Sequence, residues 1–287
     1  MQHRNIDGAD MEQAEAAGTR TAKLAIEGAH GLLAARLYTP AAADDSGLIV
    51  FFPGGGFMAD ELEAGQTFLR MLAARTGFRV LASCYTLASA APFPAAVEDA
   101  HAVLNWAAKN RATLGCSGGC LISAGIEAGG NLAAVSALMA RDRGGPALAA
   151  QLLIMPMLDP GLSSCSMRMM SGGRGAERAA GVCANGYRGY LPRPTDRTHP
   201  YASPLQSSRM KSLPPALILS ADDDPLRDEA EQYAAKLIAS GIKTLVKRLP
   251  PIALEDPNAR CSCARKENAL REIACFIAGL ERVTPAT

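Results

Sequence analysis

Cys120-Leu121-Ile122-Ser123-Ala124-Gly125-Ile126-Glu127-Ala128-Gly129-Gly130-Asn131-Leu132-Ala133-Ala134 is the stretch on which the fold class turns. Cys120 to Ala124 reads as a buried strand, and Ala128 to Arg141 as a helix entered through Gly125 and Gly129. A strand that passes straight into a helix through a glycine-flanked turn leaves backbone N–H groups at the helix N-terminus, where they can meet an anion.

Outward from this unit the pattern repeats. Towards the N-terminus, Leu48 to Phe52 and Val80 to Cys84 read as buried strands, with helices predicted over Gln66 to Thr76 and Ala95 to Arg111. Before them, Lys23 to Glu27 and Leu32 to Tyr38 alternate around Gly28 and Gly31, which predicts an antiparallel hairpin. Towards the C-terminus, strands are expected at Leu152 to Met155, Ala216 to Ser220 and Thr244 to Leu249, with helices at Arg227 to Ser240 and Lys266 to Leu280. Alternating strands and helices imply an α/β fold with a mostly parallel central sheet, whose strand C-terminal ends should hold any site. The Gly, Ser, Met and Arg-rich connection from Asp159 to Ser207 is long enough to carry a lid or a pocket wall, with Met167, Met169, Met170 and Tyr187 to Leu191 as wall candidates.

Composition narrows the function classes. With 287 residues and 48% hydrophobic residues, residues 1–287 read as one domain, with cap contributions expected from about 1–20 and 159–207. Lys+Arg (29) and Asp+Glu (28) are interspersed and nearly cancel, so no nucleic-acid partner is expected. No apolar run is long enough to span a bilayer and the N-terminal stretch has no apolar signal region, which predicts a cytoplasmic protein with no membrane association. Eight cysteines lack zinc-ribbon spacing and read as thiols in a reducing compartment; neither a metal nor a cofactor is expected.

Two backbone segments suit anion stabilisation: the triple glycine Gly54-Gly55-Gly56 at the end of the first buried strand, and the turn Gly125 to Gly130. A triple glycine alone is also what a bare turn needs. With the second motif beside it, the chain resembles the hormone-sensitive-lipase family of carboxylesterases, within the α/β-hydrolase fold. The resemblance runs through Phe51-Phe52-Pro53-Gly54-Gly55-Gly56-Phe57, Tyr85-Thr86-Leu87-Ala88 with Pro92-Phe93-Pro94-Ala95-Ala96, and the elbow with Asn131-Leu132-Ala133-Ala134. It continues through Ala202-Ser203-Pro204-Leu205, Leu213-Pro214-Pro215 and Asp224-Pro225-Leu226-Arg227-Asp228.

The resemblance implies an oxyanion hole formed by the N–H groups of Gly55, Gly56 and Ala128, and places Asp224 where the family has its catalytic acid. It places Glu127 at the family's serine, Ile126 at its Asp and Pro53 at the His of the glycine motif. Mapping the family's C-terminal motif onto Pro250-Pro251-Ile252-Ala253-Leu254-Glu255-Asp256 puts Leu254 at the catalytic His, and His199 is the last histidine in the chain. Serine hydrolysis needs a base within hydrogen-bond reach of the hydroxyl, so a Ser-His-Asp esterase is not expected. His3, His30, His101 and His199 read as surface residues, and Ser123 lies in the strand rather than at the elbow apex.

Glu127 then has two readings. As a general acid/base it suits elimination, isomerisation, cyclisation or atypical hydrolysis of a small acyl or carbonyl compound. Folded into the oxyanion hole it would be structural, and the protein a silent hydrolase homologue that binds a small molecule or a protein partner. Asp224 likewise reads as a catalytic acid or as the cap of the helix that begins near Pro225. The short segment before the glycine motif implies an open site, or one completed by a second subunit of a homodimer.

Overall fold

The computed structural model describes residues 18–43, 47–169, 174–252, 254 and 259–281. Strands β1 (Arg20–Glu27) and β2 (Leu32–Thr39) form the expected antiparallel hairpin. β2 pairs antiparallel with β4 (Arg79–Ser83), and from there the sheet is parallel through β3 (Gly47–Phe52), β5 (Cys120–Ile126), β6 (Ala150–Ile154), β7 (Ala216–Ala221) and β8 (Thr244–Leu249). The order across the eight-stranded sheet is β1-β2-β4-β3-β5-β6-β7-β8. This is the mostly parallel sheet flanked by helices that the resemblance implies.

Burial explains why the central strands are continuous apolar runs. Every residue of β3 is buried, because helices cover both faces of the sheet. Leu48, Val50 and Phe52 point to the face covered by α2 (Ala95–Lys109), α3 (Ala128–Asp142) and α6 (Arg227–Ala239), packing with Val97, Leu104, Leu132 and Tyr233. Ile49 and Phe51 point to the other face, where α1 (Gln66–Thr76) and α8 (Glu267–Glu281) supply Phe68, Leu72, Leu270 and Ile273.

The structure departs from the sequence expectation at element ends and in the connections. β5 continues to Ile126 rather than stopping at Ala124, because Gly125 and Ile126 still pair with Leu153 and Ile154 of β6. The segment after β6 contains helices α4 (Cys165–Met169) and α5 (Arg174–Tyr190). A short helix absent from the sequence reading, α7 (Ala259–Ala264), precedes α8. α6 begins at Arg227 with Leu226 as its N-cap, so Pro225 lies in the turn before it and is not its first helical residue. Among the described residues no helix is long and apolar enough to cross a membrane.

Candidate active site

Glu127 stands alone between the end of β5 and the start of α3, with φ 56° and ψ −116°. A non-glycine residue in this region costs about 1–3 kcal/mol and persists only where its surroundings over-determine it. Three backbone hydrogen bonds do so: Glu127 N–H donates to Ile154 O (3.0 Å), and its carbonyl accepts from Met157 N–H (3.0 Å) and Asn131 N–H (3.2 Å). The turn closes tightly because residue 129 is glycine; a Cβ there would run into the Phe52 carbonyl of β3. The buried Asn131 amide donates to Met157 O (2.8 Å) and Ala202 O (3.1 Å), tying the first turn of α3 to two loops.

Opposite the elbow, the chain leaves β3 through Pro53 into the three glycines. Tyr85 Oη anchors this loop by donating to Gly54 O (2.7 Å). Gly55 has φ 97°, which aims its N–H at the elbow, where it donates to Glu127 Oε2 (3.2 Å). The N–H groups of Gly56 and Ala128 make no hydrogen bond among the described residues. The one on Ala128 is an orphan donor of the α3 N-terminus.

The remaining partner of Glu127 is a residue the sequence reading missed. Arg260 of α7 makes a two-point pair with Asp224, Nε to Oδ2 at 2.8 Å and Nη2 to Oδ1 at 3.0 Å, and its Nη1 lies 3.7 Å from Glu127 Oε1. The side chains of Arg260, Asp224 and Glu127 are 13%, 0% and 10% exposed, so water screens the cluster little. Burial acts to lower the guanidinium pKa, but the carboxylates of Asp224 and Glu127 outweigh it and hold Arg260 well above its ordinary value. Asp224 Oδ1 also accepts the Leu226 N–H (2.9 Å), so it shapes the turn into α6 while binding Arg260.

These groups open into a cavity of about 300 Å³, walled by Glu61, Glu127, Arg178, Val182, Leu254 and Arg260 among others. A larger hollow of about 470 Å³ beside Arg141, Pro146 and Pro214 contains none of them and brings no set of titratable groups together, so it is not the candidate site.

The family model that matches residues 49–252 describes the alpha/beta hydrolase fold. The chain belongs to this family. An arylesterase of Saccharolobus solfataricus is 33% identical over 231 residues, 80% of this chain and 74% of the relative. The carboxylic ester hydrolase LipN of Mycobacterium tuberculosis is 36% identical over 224 residues, 76% of this chain; the match spans only 59% of LipN. Among solved structures, a hyperthermophilic esterase from Pyrobaculum calidifontis superposes with a TM-score of 0.82 at 34% identity, covering 96% of this chain and 90% of the other. The chain thus lies in the hormone-sensitive-lipase-like, carboxylesterase-related part of the family.

The structure brings Gly55, Gly56, Ala128, Glu127 and Asp224 together, and Leu254 lines the same cavity. No histidine among the described residues lines it. His30 lies in the turn after β1, and His101 is half-buried on α2, where burial lowers its pKa. His199 is exposed, with its ring against Phe93 and Tyr201, and His3 lies outside the described residues. Ser123 is buried in β5 and donates to Ala133 O (3.1 Å), away from the elbow apex.

The wall residues differ from the expected ones. Met167, Tyr187 and Leu191 pack into the core, Met169 is 81% exposed, and Met170 lies outside the described residues, as do Ala253, Glu255 and Asp256. The wall is formed instead by Met58 and Ala59 after the glycine loop and by Arg178, Ala179 and Val182 of α5.

Proposed function

We propose that this carboxylesterase-like hydrolase has exchanged serine chemistry for proton transfer by Glu127, acting as general acid/base on a small acyl or carbonyl compound. The reading rests on one observation: the Glu127 carboxylate at the elbow apex is held by the Gly55 N–H (3.2 Å) and lies against Gly56, while the neighbouring Gly56 and Ala128 N–H groups make no hydrogen bond among the described residues.

A carbonyl oxygen held by those two donors would place its neighbouring C–H bond near Glu127, and the donors would stabilise the enolate formed as the proton leaves. Elimination of a leaving group β to a carbonyl, isomerisation through an enolate and cyclisation by an enolate carbon all begin with this step, and none requires an acyl-enzyme. Arg260 keeps its proton, so it cannot serve as the base that histidine supplies in a serine triad. Its pairing with Asp224 fixes it as a stationary counter-charge for Glu127. Attack by Glu127 as a nucleophile is the weaker variant, because clearing the covalent product needs a base-activated water.

One observation favours a second reading, a silent protein that binds a ligand or partner: the Gly55 N–H is already taken by Glu127 itself. Two probes separate these readings. Wild type and Glu127→Gln are compared on p-nitrophenyl acetate, which a serine esterase hydrolyses, and on a nitrobenzisoxazole, which opens when a base removes its ring proton. Acid/base chemistry gives turnover of the second by wild type alone and of the first by neither. Ester turnover lost on mutation would make Glu127 a hydrolytic nucleophile, and no turnover of either probe would leave the silent reading.

A further inference from the structure

We propose that Glu61 is the second proton-transfer residue of this site, paired with Glu127 across Gly54; the proposal rests on the reading of Glu127 given above. Glu61 lies in the loop after the three glycines and lines the same cavity as Glu127. A Cβ on Gly54 would fall 2.7 Å from Glu127 Oε2 and 3.3 Å from Glu61 Oε2, so the two carboxyl groups converge on one point of the backbone that carries no side chain. Glu127 is engaged by the Gly55 N–H and faces Arg260, whereas the Glu61 carboxyl makes no hydrogen bond or ion pair among the described residues.

The surroundings of the two groups differ in the sense an acid/base pair needs. Burial raises the pKa of Glu61, and the charges of Glu127 and Asp60 raise it further, while Arg260 opposes them. Tyr85 and Cys261 also face this charge, and both are themselves raised by burial and by the two glutamates. Two carboxyl groups this close do not ionise independently.

The pair suits a reaction that removes a proton from carbon and delivers one to a leaving oxygen. Glu127 takes the proton; its C–H electron pair forms the new π bond, and the bond to the leaving oxygen breaks with its electrons on that oxygen. Glu61 then gives its proton to the oxygen, leaving Glu127 protonated and Glu61 ionised. Transfer of one proton from Glu127 to Glu61 restores the starting state, and no other reagent is consumed. The substrate class is a small carbonyl compound with an oxygen leaving group one carbon beyond the acidic C–H.

Benzisoxazole and its nitro derivative supply the test, because both lose a ring proton as an N–O bond breaks, but only the unsubstituted compound leaves as a basic phenolate that needs an acid. Glu61→Gln is expected to slow the unsubstituted compound at least ~100-fold while leaving the nitro compound within about 3-fold, in keeping with the usual size of an acid's contribution. An equal effect on both probes, or none on either, overturns the role of Glu61, while turnover of the nitro compound by wild type and its loss in Glu127→Gln still uphold Glu127. Carboxyl ¹³C NMR gives a readout independent of turnover. The resonance lost in Glu61→Gln should titrate above about pH 4.3 in wild type and move down in Glu127→Gln; an ordinary titration, or one that ignores residue 127, contradicts the pairing.

Discussion

At the scale of single residues, Arg260 decides what the site can be. It neutralises one of two buried carboxylates outright and faces the other, so removing it strands charge in a poorly solvated place. Arg260→Met should therefore lower unfolding free energy by about 3–5 kcal/mol, read from urea denaturation; a loss under about 1 kcal/mol would mean that water reaches the cluster. Glu229 gives a second expectation. It is 1% exposed, accepts the Leu158 N–H at 2.6 Å through Oε1, and leaves Oε2 without a hydrogen bond among the described residues, and burial pushes its pKa well above the ordinary range against the backbone N–H groups of Leu158 and Asp159. A carboxyl group raised in the folded state binds its proton more tightly there than in the unfolded chain, so its contribution is whole below about pH 4.3 and is lost as pH rises towards the folded value. Melts of wild type and Glu229→Gln over a rising pH series should show a shallower alkaline decline in the variant; parallel declines would show that Glu229 does not keep its proton. Glu127 and Asp224 were legible in the sequence because each sits in a motif with fixed spacing. Arg260 was not, since it reaches Asp224 across 36 positions from a helix with no sequence signature, and Glu61 belongs to no motif, so only the fold sets it against Glu127.

At the scale of elements, the unit that matters is β5, the elbow and α3. Its sequence states the geometry locally: an apolar run, a turn that only glycine at position 129 allows, and a helix packed against the sheet. That is why this unit was readable from residues alone, apart from the end of β5, which pairing with β6 extends to Ile126. The segment between β6 and β7 was readable only as a long connection, because α5 gains its cavity wall from tertiary packing, while Met167 faces the core and Met169 the solvent. Asn131 tests the element's rigidity. Asn131→Ala leaves the Met157 and Ala202 carbonyls without its donor, and should cost about 1–3 kcal/mol in thermal or chemical unfolding. An unchanged midpoint would mean that the elbow is held by the backbone bonds of Glu127 alone.

At the scale of the whole molecule, the sheet and its helices carry the site without taking part in it. The parallel strands end at one edge, and the glycine loop after β3, the elbow after β5 and the turn after β7 rise from that edge to meet Arg260 from α7. The alternation of strands and helices in the sequence was enough to place three of these four contributors at one edge. What it left open was how their charges meet, because that depends on α7 and on side-chain reach. On the function proposed above, the fold presents a carboxylate for proton transfer where a serine esterase presents a hydroxyl. The most direct test is the rate of nitrobenzisoxazole opening by wild type and by Glu127→Gln under the same conditions. A fall of at least ~100-fold in the variant is the expected result, the usual scale for losing a positioned base; equal rates in the two proteins would contradict the claim.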